Sequence, residues 1–98
     1  MSGELVVIHM TFKVGDRVRI SEKYHWAKGV KGSIGEPPEL VVEMSHEYGP
    51  WDGCHRFVQG AKGPIEFHWV AFDEPQFDAD GDGPYREAEI ETNMLKHV

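Results

Sequence analysis

The residues best placed to do chemistry stand near the carboxyl end, in Asp78-Ala79-Asp80-Gly81-Asp82-Gly83 followed by Glu89. They satisfy the calcium-loop template D-x-[DN]-x-[DN]-G-x5-E without a gap. Alternate Asp side chains on a tight loop converge, Gly83 permits the sharp turn, Pro84 offers its carbonyl, and Glu89 closes the shell with two oxygens. The surroundings are not helical: a strand pattern leads in and ends at Asp73-Glu74-Pro75, and Tyr85 stands where such loops carry an aliphatic. The competing reading is a solvated acidic turn, with Asp and Gly chosen for backbone geometry. Calcium is the only cofactor this reading admits, with Asp78, Asp80, Asp82 and Glu89 as its ligands.

Six histidines and one cysteine raise a second chemistry. His46, Cys54, His55 and His68 would be the zinc candidates, but their spacing matches no recognised signature. Neighbours on a strand point to opposite faces, so Cys54 and His55 make a poor ligand pair. The favoured reading is scattered surface histidines and a semi-buried thiol. Ser21, Ser33 and Ser45 lack a nucleophile-elbow context, and Cys54 has no activating base beyond its neighbour. The glycines of Gly29–Gly35 lie between strand patterns rather than ahead of a helix, so they form no phosphate cradle. No enzyme activity is expected.

Aromatic residues offer recognition instead. Tyr24 and Trp26 lie in one loop and Tyr48 and Trp51 in another, with Pro37, Pro38 and Pro50 near them in sequence. Gathered at one end of a small domain, they would make the flat aromatic surface that partner proteins use, or else cap the core. Arg17, Arg19 and Lys28 would steer such a partner.

The elements that must position these residues are short strands. Phe12, Val14, Val18 and Ile20 share one parity, and Lys13, Arg17 and Arg19 take the other, around a bend at Gly15-Asp16. Val30–Gly35 reads as a second strand, closed by Pro37-Pro38. Leu40–Met44 reads as a third strand or a short helical turn, and Arg56–Gln59 as another strand. Gly60–Pro64 has the composition of a hairpin turn. In the strand Ile65–Phe72 the pattern sets Ile65, Phe67 and Trp69 on one face against Glu66 and His68. Arg86–Glu91 reads as a helical turn and Met94–Val98 as a closing strand. The expected core is Val14, Val18, Ile20, Val30, Ile34, Phe57, Ile65, Phe67, Trp69 and Leu95.

Ninety-eight residues suffice for one domain with a modest core, and 40% hydrophobic content with three tryptophans argues against disorder. Eleven glycines and six prolines suit many strands and tight turns. Residues 10–98 are expected to form the domain and residues 1–9 an extension, in which Leu5–Ile8 would be an added edge strand. A formal charge of −7 disfavours nucleic acid or an anionic membrane as partner. That charge is uneven: residues 1–35 carry six basic and three acidic side chains, the rest four and fourteen. One cysteine excludes an intrachain disulfide, and no apolar run is long enough for a membrane span. A cytoplasmic location is expected.

FKVGDRVRI (Phe12–Ile20) and AKGVKGSIGEPP (Ala27–Pro38) resemble the opening of SH3-like barrels. The same order of motifs is similar to KOW-type ribosomal and transcription modules, the nitrile hydratase beta subunit and the variable chain of ferredoxin–thioredoxin reductase. It also resembles the small barrel subunit of photosystem I. The resemblance implies an all-β, SH3-like barrel of about five strands, with a short helical turn before the last one. It also implies small subunits that support larger assemblies. The expected function is therefore a non-catalytic protein-interaction module, an accessory subunit whose protein partner the sequence leaves unidentified. Calcium binding, or service as a nitrile-hydratase-beta-like accessory chain, are the alternatives.

Overall fold

The computed structural model describes residues 12–98; the extension over 1–9 and its edge strand fall outside the described residues. The chain is mostly β. In order come β1 (Arg17–Ile20), β2 (Lys31–Ile34), α1 (Glu39–Met44), β3 (His55–Gly60), β4 (Gly63–Gln76), β5 (Tyr85–Glu91), a 3-10 turn (Thr92–Met94) and β6 (Leu95–His97). All pairs are antiparallel, in the order β3-β4-β2-β1-β6, with β5 against the other side of β4. The six strands curl into a half-barrel, and the 3-10 turn precedes the last strand as expected. Among the described residues no helix is long and apolar enough to cross a membrane.

The curl wraps a core of Val18, Ile20, Ile34, Val70, Phe72 and Ile90, joined by Phe12, Tyr24, Ala27 and Leu95. Each fully buried aliphatic here is worth roughly 1.5–3 kcal/mol. Gly32 makes the β2–β4 contact possible. A Cβ there would stand 2.5 Å from the Ala71 carbonyl oxygen and 2.9 Å from a Val70 methyl.

The alternation holds in β1, where Val18 and Ile20 face inward, but Val14 is 56% exposed. Lys13–Asp16 is a turn, closed by Asp16 N–H donating to the Lys13 carbonyl, so the strand parity starts only at Arg17. In β4 the expected inward face is reversed. His68, Val70 and Phe72 are buried toward the core, whereas Ile65 (38%) is exposed, as is Phe57 (52%) on the neighbouring β3. Apolar residues occupy both parities of this long strand, and its register against β2 and β5 selects the even set. Trp69 is buried all the same, under Trp51, with its indole N–H on Glu87 Oε1 at 2.7 Å. Phe67 and Val30 are half-buried.

Two further segments differ from expectation. Of the alternatives for Leu40–Met44, α1 is what forms: Pro38 precedes it with extended backbone, and its carbonyl accepts from Val41 and Val42. Residues 86–91 are strand rather than helical turn. Their Ala88 and Ile90 alternate with Glu87, Glu89 and Glu91, and that period of two pairs them along β4.

Candidate functional site

The loop between β1 and β2 leaves and rejoins the sheet at one rung. Ile20 N–H donates to the Val30 carbonyl and Gly29 N–H returns to the Ile20 carbonyl, both at 2.9 Å. Ala27 holds a left-handed φ of 51° inside it, a conformation costing roughly 1–2 kcal/mol that burial of Tyr24 and Ala27 offsets. Fastened this way, the loop lays Trp26 edge-on against Phe72 at 5.6 Å and against Tyr85 at 5.8 Å.

Between this loop and the outer edge of β5 lies a hollow of about 540 Å³. Tyr24, Trp26, Phe67 and Tyr85 give it aromatic walls, and Asp78, Asp80, Glu89 and Glu91 also line it. Tyr24, itself buried, forms the floor; burial first, and the nearby Glu91 and Glu89 carboxylates after it, push its phenol pKa up. Burial and then Asp78 and Asp82 push Tyr85 the same way. Both rings stay neutral near pH 7, so the charge of the hollow is set by its carboxylates. An open, aromatic and acidic cleft attracts a cation with an apolar stem.

The acidic turn is self-supporting. Asp78 Oδ1 accepts the backbone N–H groups of Asp80 and Asp82, each at 2.9 Å. Side-chain oxygens of Asp78, Asp80 and Asp82 lie within 4.8 Å of one another. Glu89 does not join them. It lies on β5 opposite Trp69 and binds Arg56, with Oε1 2.9 Å from Nη2. The template placed Glu89 by count, but the strand that follows the turn aims it at Arg56.

The two aromatic pairs are not brought to one surface. Trp26 lines the hollow, while Trp51 packs edge-on against Trp69 at 5.7 Å. Between them stands Arg56, its guanidinium 5.4 Å from the Trp51 ring and 6.0 Å from Phe67. Tyr48 is 68% exposed and lies outside the hollow's lining. Tyr24 is a core residue rather than an exposed anchor. Arg17 is likewise occupied: it forks onto Asp73, with Nη1 2.7 Å from Oδ1, and its Nη1 also reaches Ser33. That pair holds the Asp73 carboxyl below its usual range and raises the guanidinium. Arg19 and Lys28 stay exposed. Tyr85, Phe67 and Glu91 escaped sequence reasoning, and the signal that marks them is the alternation of residues 86–91 taken as an edge strand.

No protein-family profile, curated protein or solved structure matches this chain.

Proposed function

We propose that this chain is a non-catalytic protein-interaction module of SH3-like type, an accessory subunit that docks a basic segment of its partner in the hollow beside β5. The observation that carries this reading is the joining of Trp26 and Tyr85 with Asp78, Asp80, Glu89 and Glu91 around one open cleft. A Lys or Arg side chain would lay its stem on the rings and its charge among the carboxylates. Among the described residues the outer edge of β5 pairs with no strand; it runs along the same cleft and suits an extended peptide backbone. Arg19 and Lys28, exposed but of the same sign as the docked segment, would meet only acidic parts of the partner outside the cleft, while Arg17 belongs to the scaffold. Trp51, packed on Trp69 and Arg56, and the exposed Tyr48 do not line the cleft.

The test is titration of the full chain with a Lys/Arg-rich decapeptide, followed by indole and amide NMR signals. Trp26, Tyr85 and Glu91 are expected to move, with salt weakening the complex. Trp26→Ala is expected to weaken it at least tenfold, about 1.4 kcal/mol. Unchanged affinity in Trp26→Ala, or shifts confined to the Trp51 patch, would refute the proposed cleft.

A second reading, weak calcium binding at the acidic turn, is favoured by the convergence of Asp78, Asp80 and Asp82. It uses three carboxylates and leaves Glu89 with Arg56.

A further inference from the structure

On the inner side of the β3–β4 hairpin, His55 and His68 are direct cross-strand partners, and Glu66 precedes His68 by two residues on the same face. One nitrogen of each imidazole and a Glu66 oxygen lie within 4.8 Å of one another. We infer that these three side chains form a binding site for a zinc-class divalent ion. The inference is independent of the cleft beside β5.

The donor set is suited to such an ion. Imidazole and carboxylate ligands at about 2.0–2.2 Å, with a fourth position left to water, are the usual surroundings of an open zinc site. Ligand atoms around such an ion stand about 3.3 Å apart, as its bond lengths and tetrahedral angle require. His55 Nδ1 and Glu66 Oε2 are already 2.9 Å apart. The remaining closure falls to His55 and Glu66, whose side chains are only 28% and 26% exposed and so are held near the site without being locked. His68, 1% exposed, is the fixed wall. Its ring stacks on that of His55, with centroids 5.5 Å apart.

The outer supports are present as well. A metal-bound imidazole is oriented by what its other nitrogen meets. For His68, Thr92 Oγ1 shares a 2.7 Å hydrogen bond with Nδ1 and so holds the orientation of the ring. For His55, Asp52 Oδ2 lies 3.7 Å from Nε2, on the side away from Glu66. Glu66 and Thr92 also line a second hollow of about 400 Å³, so the carboxylate of the cluster borders open space. His46, grouped with these residues on sequence grounds, sits instead beside Glu43 and Glu47. Cys54 Sγ turns to the Phe12 carbonyl.

Titration of the metal-free full chain with Zn²⁺ by calorimetry, and with Co²⁺ by visible absorption, tests the site. The expected result is one tight ion per chain and a tetrahedral cobalt spectrum, with both His55 and His68 imidazole signals moving on Zn²⁺ addition. His55→Asn and Glu66→Gln, both at partly exposed positions, are each expected to weaken zinc about a hundredfold while keeping the far-UV spectrum. Absence of binding at 100-fold excess ion overturns the inference. So does equal binding by wild type and both variants, which would place the ion on the exposed histidines or the acidic turn.

Discussion

Among the described residues two places gather three ligand-bearing side chains within the same 4.8 Å, and they are built in opposite ways. The turn at Asp78–Asp82 does it locally, through i, i+2, i+4 spacing and Asx hydrogen bonds within its own backbone. The hairpin does it by register, setting His55 against His68 across two strands. The first cluster is mostly solvated, with Asp80 and Asp82 exposed, and the hydrogen bonds that shape it lie within the turn. The second is wedged between Phe12 and Thr92, and its geometry is inherited from the sheet. Local spacing is easy to recognise in a sequence and costs little to disturb; register is hard to recognise and is structurally expensive to lose.

The sharpest way to break this contrast is to remove one member from each cluster. His68→Ala leaves a void under Phe12 and strands the Thr92 hydroxyl, and is expected to cost about 3 kcal/mol of folding stability. Asp80→Ala, at the exposed turn, is expected to stay within about 0.5 kcal/mol. Urea midpoints measure both. Equal losses would mean that the two clusters are equally built into the fold.

Acid is the next largest perturbation. Burial, ahead of the opposing pull of Glu66, holds the His68 pKa below its ordinary 6.5. The unfolded chain therefore takes up that proton first. The stability linked to a neutral His68 is fully present above pH 6.5 and is lost as pH falls through the folded value. Asp73, lowered by Arg17, is protonated in a further window below its ordinary 3.8. Melting temperature is thus expected to fall from pH 7 to pH 5 in the wild type and to stay flatter over that range in His68→Gln. Parallel curves would show that His68 is not the group responsible.

What the sequence made legible follows the same division. Val18 and Ile20 and the turn between Gly60 and Gly63 were readable because near neighbours decide them. The helical turn before the last strand was expected from the resemblance, whereas residue pattern alone placed such a turn over residues 86–91, which are strand. The inward face of β4 was not. Ile65, Phe67 and Trp69 outweigh His68 in hydrophobicity, and only pairing with Ile90 and stacking on His55 shows that the histidine is inside. The aromatic loops were legible as aromatic, but not their separation by Arg56 or the burial of Tyr24. Glu89 shows the limit most sharply, since a full motif match counted it as a ligand while the strand committed it to Arg56.

That last conflict yields the smallest predicted effect. Three carboxylates without a bidentate fourth group hold calcium only weakly, so half-saturation is expected at about 1 mM, the range of the loosest calcium modules. The amide signals of Gly81 and Asp82 are expected to report it in heteronuclear spectra. Asp80→Ala is expected to abolish the shifts, because it removes one of the converging oxygens. Glu89→Gln is expected to leave the titration curve unchanged, since Arg56 already holds that carboxylate. If Glu89→Gln weakens calcium as strongly as Asp80→Ala, then Glu89 swings from Arg56 to the ion. The acidic turn would then be coupled to the sheet through β5, and the distinction between a local cluster and a registered one would fail at the position where motif and strand compete.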